Sequence, residues 1–199
     1  MMQRIDCLRA IHSRLDDRLV VTIMGAVAAE LQSIGHRENF FYLQHAMGLA
    51  SSTGLGLALC LPQQKIVVFD GDGSVLMNLG GFTTLARYQP TNLVHVIFDN
   101  ESLLSVGGFP TATSTGSNLE NIARASGVRW TRTVDKLEDF TRAFDEASKA
   151  GELSCLVAKV EAAGPKGYVT DLSLLENRFQ FRRYIEKSSQ ARSGDRVIR

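Results

Sequence analysis

Residues 65–102, KIVVFDGDGSVLMNLGGFTTLARYQPTNLVHVIFDNES, constrain the fold more than any other stretch of the chain. They open with a short apolar run, Ile66 to Phe69, that reads as a buried strand. Asp70-Gly71-Asp72-Gly73-Ser74 ends that strand, and a helical segment follows to about Tyr88, punctuated by Pro90 and Asn92. A second buried strand, Leu93 to Phe98, delivers Asp99-Asn100 at its carboxyl end. The pattern is a βαβ unit with polar groups beyond both strands. Open parallel sheets bind ligands at that edge.

The residue types at the edge suggest a particular ligand chemistry. Gly71 and Gly73 allow backbone conformations and close approach that a Cβ would block. The amides of Gly73 and Ser74 fall at the start of the following helix, where free N–H groups attract phosphate. Asp72 and Asn100 offer hard oxygen ligands, which suit Mg²⁺. A metal held there would join those ligands to two phosphate groups, so the stretch describes a diphosphate site. A surface turn can also carry Gly-Asp-Gly; the spaced Asp99-Asn100 and the two flanking strands argue against that reading.

The remaining sequence supplies further α/β units. Residues 3–15 place Ile5, Leu8, Ile11 and Leu15 on one helix face and Arg4, Arg9 and Arg14 on the polar side, with His12 solvated or facing a partner. Strand Leu19 to Met24, Gly25 and a helix from Ala26 to Gln32 follow. Phe40-Phe41-Tyr42 reads as a strand, and Gln44-His45-Ala46 as a turn. Met47 then begins a Gly/Ala/Ser-rich helix to Cys60, slim enough for another backbone to pack close. The loop from Glu101 to Ser117, with Gly107-Gly108-Phe109-Pro110-Thr111, is expected to be mobile and to hydrogen-bond a substrate or diphosphate, with Glu101 a solvated neighbour of the metal loop. A helix from Asn118 to Ser126, strand Val128 to Thr133, a helix to Lys149 and strand Leu153 to Val160 close the sheet, with Trp130 as packing. Gly164-Pro165-Lys166-Gly167 reads as a linker, Leu172 to Lys187 as a helix with a solvated basic face (Arg178, Arg182, Arg183), and residues 188–199 as frayed. The expected fold is α/β: one open, mostly parallel sheet with helices on both faces. Its domain spans residues 19–163, preceded by a helix in 1–18 and followed by a linker and helix in 164–199.

Composition excludes several classes. The formal net charge is +1, which gives no support for nucleic-acid or membrane-surface binding. Cys7, Cys60 and Cys155 are scattered without zinc-like or cluster-like spacing, as expected of inert thiols in a reducing cytoplasm. The N-terminus lacks a signal peptide's apolar core, and no stretch is apolar enough to span a bilayer.

Gly71-Asp72-Gly73, residues 74–98, then Asp99-Asn100 resembles the thiamine diphosphate motif. FYLQHAMGLASSTGLGLAL, VVFDGDGSVLMNLGGFTTLA and FDNESLLSVGG are similar to the pyrophosphate-binding part, the β subunit, of thiamine diphosphate-dependent decarboxylases acting on sulfopyruvate or phosphonopyruvate. The resemblance covers residues 3 to about 187. It implies that Asp72, Asn100 and the Ser102 carbonyl hold Mg²⁺, and that Asp99 replaces the motif's first asparagine without loss of a ligand. It also implies that Met47 wedges under the bent cofactor and that the His45 carbonyl accepts a hydrogen bond from its aminopyrimidine. Such enzymes take the activating glutamate from a pyrimidine-binding domain, and Glu30 and Glu38 lie in the wrong context for it. The resemblance therefore implies a hetero-oligomer with a pyrimidine-domain (α) subunit, self-association, and a chain inactive alone. Its substrate would be a small 2-oxoacid. A carboligase or lyase subunit and a non-catalytic assembly subunit are the alternatives. A 2-oxoacid:ferredoxin oxidoreductase subunit would bring cysteine clusters that this sequence lacks.

Overall fold

The apolar runs form parallel strands of a single sheet in the computed structural model, which describes residues 1–165 and 172–194. In chain order the elements are α1 (Arg4–Ile11), β1 (Arg18–Thr22), α2 (Ala26–Ile34), β2 (Phe40–Tyr42), α3 (Ala50–Cys60), β3 (Lys65–Gly71), α4 (Asp72–Leu76), α5 (Gly80–Tyr88) and β4 (Leu93–Asp99). A small hairpin, β5 (Ser102–Leu103) and β6 (Phe109–Pro110), precedes α6 (Leu119–Ala125), β7 (Trp130–Val134), α7 (Leu137–Lys149), β8 (Ser154–Lys159) and α8 (Leu174–Gly194). Among the described residues the main sheet has the order β2-β1-β3-β4-β8-β7, and every pairing in it is parallel. All of β4 and the middle of β3 are buried, as parallel strands covered on both faces must be.

The strand order places the ligand edge. From β1 the chain adds β2 on one side and β3 on the other, so the winding reverses between β1 and β3. A crevice opens outside the strand ends at such a reversal. Strand β8 does not close the sheet as expected; it lies between β4 and β7, and β7 is the edge.

Helix α3 reaches the sheet closely because Gly54 has no side chain. A Cβ there would stand 2.2 Å from Val68 Cγ2 on β3. The helix begins at Ala50 and not at Met47, because Met47-Gly48 remains a turn, with Gly48 at φ +84. The expected polar face of α1 is also revised. Arg4 is buried against Glu30, at 2.8 Å, while Ile5 is only half-buried. His12 bonds to the Gly35 carbonyl oxygen at 3.0 Å and stands edge-on to Phe40, so it braces the α2–β2 turn. Cys7 and Cys155 are buried, and desolvation pushes both thiols up to about 12; Cys60 is exposed.

The outer edge of β2 is covered by α8. Asn177, buried there, accepts from the Tyr42 amide at 3.0 Å and donates to the Phe40 carbonyl at 2.7 Å, as a neighbouring strand would. Phe181 stacks on Phe41 beside it, with ring centroids 5.3 Å apart. Arg178, Arg182 and Arg183 are exposed on α8. Lys166 and Gly167 of the expected linker, and residues 195–199 of the expected frayed end, lie outside the described residues. No helix among those residues is long and apolar enough to cross a membrane. Asn177→Ala would leave both β2 groups without partners, a cost of about 1–3 kcal/mol. The expected result is a lower melting temperature and faster hydrogen exchange at the Tyr42 amide, measured by calorimetry and NMR.

Candidate functional site

A cleft lies at the winding reversal. Ile23 and Met24 after β1, Ala26 and Val27 of α2, Met47, residues 71–74, and Asn100 with residues 102–105 line it. Gly71, Asp72, Gly73, Ser74, Asn100, Ser102 and Met47 are thus brought together as expected, whereas His45 is not part of the wall. Its side chain is exposed and its backbone sits at φ 51, a left-handed conformation.

The two glycines of the motif have different uses. Neither Gly71 nor Gly73 has a positive φ, so conformational freedom does not explain them. A Cβ on Gly73 would stand 2.2 Å from Leu103 Cδ2, so this glycine admits the β5–β6 hairpin. A Cβ on Gly71 would meet nothing within 4 Å, and the residue faces the cleft. It leaves room beside the backbone for a ligand. The helix expected from Ser74 to Tyr88 is split into α4, five residues long, and α5. Asn78, in the break, donates its side-chain amide to the Gly48 carbonyl at 2.8 Å. Ser74 Oγ accepts from the Gly48 amide at 2.9 Å. These two bonds hold the Met47-Gly48 turn against the end of β3 and place Met47 at the cleft.

Asp72 is a buried carboxylate of the cleft. It is 2% exposed and accepts hydrogen bonds from the hydroxyls of Thr111 and, at 3.2 Å, Thr113. Burial raises its pKa above the ordinary 3.8; Thr111 opposes that shift and the nearby Asp99 charge adds to it. Among the described residues Asp72 has no cationic partner, which is unusual for a buried carboxylate. Asp99 does have one. Thr113 donates to it at 2.8 Å, and Lys159 Nζ, at the end of β8, lies 2.9 Å from Asp99 and 2.6 Å from Glu101. Partial desolvation disfavours the Lys159 ammonium, but its bonds to Glu101 and Asp99 outweigh that and raise its pKa.

This network corrects the expectation for residues 101–117. The segment is not a loose loop: Ser102–Leu103 pairs with Phe109–Pro110, Thr111 and Thr113 reach back to Asp72, and the Thr111 amide donates to the Glu101 carbonyl at 3.0 Å. Glu101, half-exposed at φ 58, is an ion-pair partner and not merely solvated. Asn100, between Asp99 and Glu101, accepts from the Ser102 amide at 3.2 Å. Sequence reasoning did not find Thr113, Lys159 or the buried Asp70–His95 pair, whose Oδ2 and Nε2 are 3.4 Å apart. Only the acid at position 99, where the motif has asparagine, signalled that a cation was needed nearby.

The donor set fits a metal-bound diphosphate. Asp72 is a buried charge without a counter-cation, Asn100 and Ser102 add neutral oxygens in the same cleft, and the space beside Gly71 is open. Among the described residues no cluster of three or more His, Cys, Asp or Glu could hold a metal alone. A cation here would draw its remaining oxygens from the ligand, as Mg²⁺ does with phosphates.

A parallel α/β sheet with a cleft at its winding reversal defines a ligand-binding class of protein. Within it, the chain belongs to the thiamine pyrophosphate enzymes, whose C-terminal TPP-binding domain it matches over residues 22–158, in the thiamine diphosphate-dependent decarboxylase family. It is 35% identical to the sulfopyruvate decarboxylase subunit beta of Methanocaldococcus jannaschii, covering 94% of this chain and 98% of that one. It is 43% identical to the phosphonopyruvate decarboxylase of Streptomyces hygroscopicus, over 63% of this chain and 31% of that one. Among solved structures, benzoylformate decarboxylase from Polynucleobacter necessarius superposes with a TM-score of 0.66 at 18% identity, covering 81% of this chain and 33% of that one. That likeness extends to the fold.

The network makes two expectations measurable. Lys159→Met would strand the Asp99 charge. The expected loss is about 2 kcal/mol, below the ~3–5 kcal/mol of a fully buried pair because the Lys159 side chain keeps 28% of its surface exposed. Adding Asp99→Asn should recover most of it in chemical denaturation. For Asp72 the folded pKa is raised, so its contribution to stability is present below the ordinary carboxylate range and is lost as pH rises above 3.8 through the folded value. Without divalent cation, the melting temperature should therefore fall relative to Asp72→Asn as pH increases through that range. Mg²⁺ added together with pyrophosphate should reverse the difference in the native chain only.

Proposed function

We propose that the chain is the thiamine diphosphate- and Mg²⁺-binding subunit of a heteromeric decarboxylase acting on an acidic 2-oxoacid of the sulfopyruvate or phosphonopyruvate kind. The observation that carries this reading is Asp72, buried at the cleft, braced by two threonine hydroxyls and lacking a cation. Asp72, Asn100 and the Ser102 carbonyl would hold the metal. Gly71 would let the diphosphate approach the backbone, and the amides of Gly73 and Ser74 would face its oxygens. When bound, the cofactor supplies the electron sink for the breaking carbon–carbon bond, while the protein supplies orientation and electrostatics. Met47, pinned by its turn, would support the middle of the cofactor, and the backbone carbonyl of His45 would receive the aminopyrimidine. The hairpin carrying Leu103 and Leu104 would shield the site from water.

Several features support a second subunit with a pyrimidine-binding domain. The cleft encloses about 70 Å³, against ~300–1,000 Å³ for a site that surrounds a small molecule. Glu30, beside the cleft, is engaged by Arg4 and so is not placed to serve the pyrimidine. Large apolar side chains stand exposed in the turns and hairpin that carry cleft residues: Leu49, Met77, Val106 and Phe109. Such a surface suits coverage by another protein. The methanogen relative is named as a subunit beta and matches 94% of this chain over 98% of its own length, while the matched part is 31% of the phosphonopyruvate decarboxylase.

The test is calorimetric titration of thiamine diphosphate with Mg²⁺, on this chain alone and with a pyrimidine-domain subunit. Mg²⁺-dependent binding that tightens with the partner is the expected result. Asp72→Ala and Asn100→Ala should each abolish it. Met47→Ala should spare much of the binding and lower turnover of the assembled enzyme. Full affinity retained in Asp72→Ala would sink the metal assignment.

A further inference from the structure

His95 is the one polar residue of β4 before Asp99, in a strand that is otherwise apolar. It is 1% exposed, stands in register with Val68 of β3 and Cys155 of β8, and lies 6.0 Å from the Phe82 ring between centroids. An imidazole taken out of water needs partners for both nitrogens. Among the described residues Nδ1 has none, and Nε2 has one, Asp70 Oδ2 at 3.4 Å. An aliphatic residue would fill the position without that cost, as Ile97 does one step further along the same face. What distinguishes a histidine here is its bond to Asp70.

Asp70, the last but one residue of β3, is also 1% exposed. Among the described residues no lysine or arginine pairs with it, and its carboxylate has two donors. Oδ1 accepts from the Gly71 amide at 3.0 Å, and Oδ2 faces His95. The Gly71 peptide is where the strand becomes a helix: Gly71 is the N-cap of α4, and Asp72 is its first residue. The direction in which the chain leaves β3 sets where Asp72 and Ser74 stand. Ser74 in turn holds the Gly48 amide and the Met47-Gly48 turn. His95 fixes the Asp70 carboxylate, and Asp70 fixes the Gly71 amide. This brace is separate from the Thr111 and Thr113 hydroxyls that hold Asp72 directly.

We propose that His95 is a positioning residue for the cleft. Its Nε2–H orients Asp70, Asp70 holds the Gly71 amide, and the peptide so fixed aims Asp72 at the metal. Neither His95 nor Asp70 lines the cleft, so the pair acts through Asp72 alone. The inference rests on Asp72 being the metal ligand of the function proposed above. Partners one bond removed from a ligand set its orientation, and their loss weakens metal binding without removing a ligand.

The test compares two variants of the full chain. His95→Leu removes the donor, and His95→Gln offers a side-chain amide in place of the Nε2–H. In calorimetry, the Kd for thiamine diphosphate with Mg²⁺ should rise about tenfold in His95→Leu and return to within about twofold of the native value in His95→Gln. Unchanged affinity in His95→Leu overturns the proposal. So does an equal loss in both variants, because a packing role gives glutamine no advantage over leucine. Hydrogen exchange reads the linkage without any ligand. Relative to the Val68 amide in the same strand, which reports general opening, the Gly71 amide should exchange faster in His95→Leu and recover in His95→Gln. An unchanged ratio overturns the proposal. The native chain gives an answer that does not depend on the variants folding: the His95 ¹⁵N spectrum should show a protonated Nε2, and a bare Nε2 overturns the linkage. Asp72→Ala separates this from the metal reading. Retained cofactor affinity there contradicts the metal site, while the Gly71 exchange ratio still decides the linkage from His95.

Discussion

A carboxylate taken out of water must be given donors or a cation, and much of this structure is arranged around that requirement at Asp72. Burial alone disfavours its charged form. Two threonine hydroxyls from a segment some 40 residues later hold it instead, and the hairpin that carries them can fold down because Gly73 leaves space for Leu103. Thr113 links Asp72 to Asp99, and Lys159 neutralises Asp99 from the end of β8. One chain of contacts therefore ties together the carboxyl ends of β3, β4 and β8. Its unbalanced member is the one that faces the cleft.

That imbalance connects stability to function. A resident lysine at Asp72 would compensate its charge but would leave no place for the proposed metal. Here the compensating charge sits one position away from the proposed ligand Asn100, at Asp99, where it fixes the loop and leaves Asp72 open. Glu101 at φ 58 shows what the loop costs: a left-handed residue is held by the Lys159 ion pair and by its backbone bond to Thr111. Turn Met47-Gly48 is held in a similar way by Ser74 and Asn78, which explains why the helix after the motif breaks where it does.

The strands were legible because a parallel sheet buried on both faces needs uninterrupted apolar runs, and Ile66–Phe69 and Leu93–Phe98 have no other good use. The residues proposed to hold metal and phosphate were legible because their order along the chain resembles a known motif. The roles of the surrounding residues were less so. Arg4 looks like the polar face of an amphipathic helix until the pairing of Met2 with Val160 carries it to the sheet edge. Gly73 looks like a flexible turn residue until Leu103 is seen against it. Strand β8 looks like the last strand because it is last in sequence, while pairing places it in the interior.

By itself, the sequence determined which residues make strands, which edge carries polar groups, and that Asp72 and Asn100 belong to one site, because each follows from local periodicity or from spacing within a single βαβ unit. Only the tertiary structure decided what balances those charges. Lys159, Thr111, Thr113 and Glu30 act on residues between 14 and 60 positions away. Hydrogen bonds and ion pairs depend on distances of about 3 Å in space, and sequence order does not encode such distances once the chain crosses from one strand end to another.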